Sequence, residues 1–124
     1  FARAGHELPL LCRRDATGVP RSDFLGSEGM PVGMVPDELF AGVIEDRREA
    51  FRQGDVFMLY TDGITEAPNP EQKEFAGPRL LDAVNALQLR SAQEINDGLV
   101  EAVARFTAGV AQRDDLTVVT VKRT

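Results

Sequence analysis

Apolar and polar positions change period midway along the chain. Up to Thr61 the apolar residues fall in short runs. Leu8-Pro9-Leu10-Leu11-Cys12-Arg13 is apolar and ends in charge, Asp15-Ala16-Thr17-Gly18 is a turn signal, and Val19 to Leu25 reads as the returning arm of a hairpin. Gly26 to Pro36 holds three Gly and two Pro in eleven residues, which predicts a loop. Val43 to Phe51 has no clean period and reads as a strand with a polar, exposed face. Arg52-Gln53-Gly54-Asp55 is a turn. Val56-Phe57-Met58-Leu59-Tyr60-Thr61 is nearly all apolar and too short for a helix, which predicts a central strand buried on both faces.

Beyond a polar loop from Pro68 to Gly77 the period becomes helical. Leu80, Leu81, Val84 and Leu87 share one face, predicting a helix over Gly77–Gln88. Ser91 with Glu94 three residues on forms a capping-box pattern that opens a second helix, Ser91–Ala108. Its apolar stripe is Ile95, Leu99, Ala102, Val103 and Phe106. Leu116 to Val121, rich in β-branched residues, predicts a last strand. Strands, then two helices, then one strand argue for an α+β fold with both helices on one side of the sheet.

Composition narrows the functional classes. The chain has 124 residues, room for one small domain. Its net charge of −6, with no Lys/Arg cluster longer than a pair, argues against nucleic acid as a partner. One cysteine, Cys12, closes no intrachain disulfide, and one Cys with one His excludes the usual structural zinc site. No run approaches the ~18–20 apolar residues that span a bilayer, and no signal-peptide pattern opens the chain.

Two segments carry candidate chemistry. In Tyr60-Thr61-Asp62-Gly63-Ile64-Thr65-Glu66-Ala67 a strand ends in an Asp followed by a Gly that permits a sharp turn. A carboxylate at the tip of a rigid strand suits a hard-metal ligand; the plainer reading is a turn. In Arg113-Asp114-Asp115-Leu116-Thr117 two adjacent carboxylates precede the last strand. They repel each other, so a cation beside them is stabilising; the plainer reading is a solvated acidic loop. If the two strands pair antiparallel, Asp62 and Asp114 share one sheet edge. Oxygen donors without His or Cys point to magnesium or manganese rather than zinc. Elsewhere, His6 reads as a structural histidine or a general base, and Cys12 as an inert core thiol. Ser22, Ser27 and Ser91 form no nucleophile elbow, and Gly26-Ser27-Glu28-Gly29 is too weak a pattern for a phosphate loop.

Ala4-Gly5-His6, Gly54-Asp55, Leu59-Tyr60-Thr61-Asp62-Gly63-Ile64-Thr65-Glu66-Ala67 and Asp114-Asp115-Leu116-Thr117 together resemble the SpoIIE-like branch of the PPM family of metal-dependent protein phosphatases. The resemblance runs along the whole chain, including Pro31-Val32-Gly33 and Phe75-Ala76-Gly77. It implies an α-β-β-α sandwich of antiparallel sheets. At one end two Mn²⁺ or Mg²⁺ ions activate a water that hydrolyses phosphoserine or phosphothreonine. It implies Asp62 and Asp114 as metal ligands, with Asp115 and Gly63 supporting and Glu66 no ligand. It also implies a phosphorylated protein substrate of the anti-anti-sigma type, a sensory domain upstream in the parent chain, and a cytoplasmic location.

The family's N-terminal motif, of the type Gly-Asp-x-x-Gly-His-Gly with a metal-bridging Asp, does not occur here, and Gly5-His6 belongs to a later element. The chain therefore reads as the C-terminal part of the domain, inactive alone and with some apolar surface left bare. The alternative is a non-catalytic regulatory or interaction module that keeps the fold without the chemistry.

Overall fold

Asp15 closes the first hairpin of the computed structural model, which describes residues 1–124. Its Oδ1 accepts from the backbone amides of Thr17 (2.9 Å) and Val19 (3.1 Å) and from the Thr17 hydroxyl, while Oδ2 accepts from Arg21 Nε at 3.0 Å. These bonds, the Thr17 hydroxyl first, hold the Asp15 carboxyl well below the usual range. The turn joins β1 (Leu10–Arg14) to β2 (Pro20–Phe24), with Leu10 opposite Phe24 and Arg14 opposite Pro20. The chain then passes through a loop and a short helix, α1 (Asp37–Val43), to β3 (Val56–Tyr60). One helical turn follows, α2 (Asp62–Thr65), then α3 (Ala76–Leu87), α4 (Ala92–Thr107) and β4 (Val118–Lys122).

The four strands form one antiparallel sheet in the order β2-β1-β3-β4, an α+β arrangement. Leu10 faces Met58 across β1 and β3, and Phe57 faces Val121 across β3 and β4. Alternation along β3 sends Val56, Met58 and Tyr60 to one face, where they are buried against Leu80 and Val84 of α3 and Ile95, Leu99 and Val103 of α4. Each helix thus buries one apolar stripe on the same side of the sheet, as their spacing predicts. The Ser91–Glu94 capping box is present: Ser91 Oγ accepts from the Glu94 amide at 3.2 Å, and the Ser91 amide donates to Glu94 Oε2 at 2.8 Å. Ala108, in the left-handed region, and Gly109 end the helix.

Three sequence expectations are corrected. Val43 to Phe51 is not a strand: Val43 closes α1, and the rest runs as extended coil with one isolated bridge, Asp46 to Ala2. Tertiary contacts hold this coil in place of a ladder. Arg47 Nη1 donates to the Gly26 carbonyl, and Arg13 pairs with Glu49 at 3.4 Å. Val56–Thr61 is central but not buried on both faces, since Leu59 is 37% exposed on the second face, beside Val119 at 51% and Val121 at 49%. An all-apolar run signals burial only where both faces are covered, and here helices cover one. Finally, the last strand begins at Val118, with Leu116 and Thr117 outside it in the segment that follows the bend at Asp114.

Ser91→Ala is expected to lower stability by about 1 kcal/mol, read as a lower urea midpoint at unchanged slope. Bonds from the Ser91 amide, and then from its hydroxyl, lower the Glu94 pKa. The cap therefore contributes fully above the ordinary glutamate range and is lost as pH falls through the lowered value. The gap between wild type and S91A should narrow in acid.

Candidate functional site

The ladder between β3 and β4 does not stop at its last strand pair, Tyr60 with Val118. Thr61 extends it: its amide donates to the Thr117 carbonyl at 3.1 Å, and its hydroxyl donates to the Asp115 carbonyl at 2.8 Å. The same hydroxyl oxygen accepts from the Thr117 amide at 3.0 Å. Thr61 is also the N-cap of α2, yet its side chain makes no capping bond. The hydroxyl is spent across the sheet instead, tying the start of α2 to the loop before β4.

Asp62 is the first residue of α2. Its carbonyl accepts from the Glu66 amide at 2.7 Å and the Thr65 hydroxyl at 3.2 Å, closing the single turn. Its carboxylate is exposed and carries neither a hydrogen bond nor an ion pair. Gly63 is buried directly beneath the acidic loop. A Cβ built there would lie 2.5 Å from the Asp115 carbonyl oxygen and 3.3 Å from that of Asp114, so the approach of the two segments requires the missing side chain. Asp114 Oδ1 accepts from the Asp115 amide at 2.7 Å, and the Asp114 carbonyl accepts from Gln112 Nε2 at 2.6 Å. Asp115 is exposed with its carboxylate unpartnered.

Asp62, Asp114 and Asp115 thus sit at one end of the sheet, held by backbone contacts rather than by each other's charge. None of the three forms an ion pair with a Lys or Arg, and the adjacent Arg113 guanidinium bonds the Gln72 side chain. Exposed, unpaired carboxylates are the donor type that hard divalent cations take. The number is short, however. No group of three or more His, Cys, Asp or Glu side chains is arranged to hold a metal. The donors fit such an ion in kind but not in number.

The other candidates make none of these contacts. The His6 side chain is exposed and unbonded, and only its carbonyl is used, by Arg3 at 2.8 Å. Cys12 is fully buried; burial pushes its thiol up, with Sγ 3.6 Å from Asn85 Oδ1, so it stays protonated and inert. Tyr60, two residues before Asp62, is pushed up to about 12 by burial and then by the Glu7 carboxylate, and remains a neutral phenol. Sequence reasoning missed Thr61. Its one signal was a hydroxyl between a strand end and Asp-Gly, which local rules read as part of a turn.

A family model described as Stage II sporulation protein E (SpoIIE) matches residues 1–124. Protein IcfG of Synechocystis sp. (strain ATCC 27184 / PCC 6803 / Kazusa) is 29% identical over 123 residues, covering 99% of this chain and 18% of IcfG. The SiaA-PP2C domain of Pseudomonas aeruginosa superposes with a TM-score of 0.76 at 18% identity, over 99% of this chain and 46% of that one. The PP2C phosphatase domain of the cell fate determinant SpoIIE from Bacillus subtilis, with a fragment of its regulatory domain, gives 0.70 at 26% identity, over 98% and 33%. The chain spans less than half the length of each of these relatives.

Gly63→Ala should cost about 1–3 kcal/mol of stability by forcing the two segments apart. Gly42→Ala, in α1 with nothing within 4 Å of a new Cβ, should be neutral or slightly stabilising. Thermal unfolding followed by circular dichroism distinguishes the two.

Proposed function

The chain belongs to the SpoIIE family, and we propose from that premise that it carries part of the metal site of a PPM-type protein serine/threonine phosphatase. The observation that supports this best is the backbone contact of Thr61 and Gly63 with the Asp114–Thr117 segment, which sets unpaired carboxylates from two distant stretches at one sheet end.

In this reading Asp62 and Asp114 hold Mn²⁺ or Mg²⁺. A bound ion of this type supplies a Lewis acid and lowers the pKa of its water toward neutrality. The chain's own residues do the positioning. Thr61 fixes where α2 begins, and hence where the Asp62 carboxylate projects. Gly63 admits the acidic loop to close range. The Asp115 amide orients the Asp114 carboxylate through Oδ1 and leaves Oδ2 free. Asp115 supports the site and is not itself a ligand.

The substrate of this reading is a phosphoserine or phosphothreonine on a regulatory protein of the anti-anti-sigma type, with an upstream sensory domain in the parent chain governing the reaction. A cytoplasmic location goes with it, and no helix is long and apolar enough to cross a membrane. Nucleic acid has no part in it. With so few donors, the 124-residue chain alone is expected to turn over neither p-nitrophenyl phosphate nor a phosphoprotein, even with Mn²⁺. That shortage favours a second reading, a non-catalytic regulatory or interaction module built on the phosphatase fold.

The test is phosphoprotein hydrolysis by the full-length protein with Mn²⁺. Asp62→Ala and Asp114→Ala should each lower kcat/KM by more than a hundredfold. Asp115→Asn should be milder, within the ~10–100-fold typical of a partner that orients a ligand. Activity that EDTA leaves intact, or that survives both alanine variants, would sink the metal-ligand assignment. No activity at all in the full-length protein would favour the non-catalytic module.

A further inference from the structure

His6 is the one histidine of the chain, and its imidazole is exposed with no hydrogen bond or ion pair. The backbone beneath it is firmly held. Arg3 Nη1 donates to the His6 carbonyl at 2.8 Å, while Arg3 Nε and Nη2 donate to the Ser27 carbonyl at 3.2 and 3.0 Å. One guanidinium thus clamps this turn to the loop after β2. Gly5 sits in the left-handed region at φ +77°, where a Cβ would lie 2.4 Å from Pro31 Cγ and 2.8 Å from the Pro31 backbone nitrogen, so the turn requires glycine. From His6 the chain runs into β1. The pairing of β1 with β2 continues back to Pro9, whose carbonyl accepts from the Leu25 amide at 2.7 Å. On its other side β1 meets β3 as Leu10 with Met58 and Cys12 with Val56. That register, carried back along the chain, sets His6 level with Asp62. In the strand order β2-β1-β3-β4, His6 then belongs to the same sheet end as Asp62, on the side away from the Asp114–Thr117 segment.

We propose that His6 binds the phosphoryl group of the substrate, donating an imidazole N–H to one of its oxygens. The proposal rests on the phosphatase reading for the identity of that ligand. The donors at this end of the sheet select it. Ionised Asp62, Asp114 and Asp115 carry acceptors only, which serve a cation and give a phosphoryl oxygen nothing to bond. A phosphate monoester takes N–H and O–H donors. The Thr61 hydroxyl is spent on the Asp115 carbonyl, and the Arg3 guanidinium on the carbonyls of His6 and Ser27. On the β4 side Arg113 bonds Gln72. The imidazole presents at least one N–H whether neutral or protonated, and no group of the chain accepts it. Clamp and glycine turn fix where the side chain starts and leave its polar atoms unused, the same division seen at Asp62.

The experiment uses the full-length protein with Mg²⁺, and inorganic phosphate is the probe. Phosphate is not turned over, so binding is read whether or not hydrolysis occurs. The His6 ring signals in NMR spectra are identified by their loss in His6→Ala. Phosphate should shift them saturably, and calorimetry should show phosphate bound about tenfold more weakly by His6→Ala, as expected for one lost hydrogen bond to a charged group. His6→Gln, which keeps a side-chain N–H, should recover part of that affinity. With a phosphoprotein and Mn²⁺, His6→Ala should raise KM by a similar factor with a smaller change in kcat. The His6 side chain is exposed and unbonded, so the fold should survive, as circular dichroism will verify. An unmoved His6 ring, unchanged phosphate affinity in His6→Ala, or no phosphate binding at all would overturn the proposal; a ring enclosed by the rest of the parent chain gives the first of these results. Phosphate binding that depends on His6 in a protein that hydrolyses nothing would uphold the His6 contact and overturn the hydrolytic reading instead.

Discussion

The site depends on one contact, Thr61 and Gly63 packed against the backbone from Asp114 to Thr117. The Thr61 amide and hydroxyl make three hydrogen bonds to that segment, and Gly63 lies so close beneath it that no side chain fits. Backbone groups do the joining, so the carboxylates of Asp62, Asp114 and Asp115 are left free of it. The three stand exposed at one end of the sheet with no ion-pair partner. A fold that needed these acids for its own cohesion would have paired them, as Asp15 is paired with Arg21 and Asp55 with Arg13 at 3.3 Å.

Everything beneath that contact serves to keep it rigid. β3 lies between β1 and β4, and its buried face is fixed by α3 and α4. Groups carried at the end of a packed strand are placed more precisely than groups on a loop. The opposite face of the sheet is less protected: Leu59, Val119 and Val121 stay exposed, and Phe1 approaches Phe57 at 6.2 Å between ring centres. One helix layer over one sheet accounts for the chain's core, and it is the arrangement shared with PP2C phosphatase domains.

Much of this was legible in the sequence wherever the information is local. The capping box at Ser91 and the stripes through Leu80 and Val84, and through Ile95, Leu99 and Val103, are written at helical spacing and appear as written. Asp62 and Asp114 were placed at strand ends by the apolar runs beside them. What failed was non-local. α1 buries none of its residues, so Leu39, Phe40 and Val43 leave no stripe to read. The coil after it is fixed by Arg47 and Arg13 reaching distant backbone and carboxylate groups, which no periodicity records. The run Val56–Thr61 gave the strand but not its second face, because the apolar residues do not say what covers them. Thr61 looked like turn chemistry, and only the register with β4 reveals what its hydroxyl does.

The central claim is that Asp62 and Asp114 together address one divalent cation. Paramagnetic broadening by Mn²⁺ in amide NMR spectra of the 124-residue chain tests it without requiring catalysis. The account predicts weak binding in this donor-poor chain, seen as selective loss of the signals of Asp62, Gly63, Asp114 and Asp115 ahead of all others as Mn²⁺ is raised, reversed by EDTA and abolished in both Asp62→Asn and Asp114→Asn. Broadening spread over the exposed carboxylates of the whole surface, or confined to one of the two segments and indifferent to substitution in the other, would contradict it.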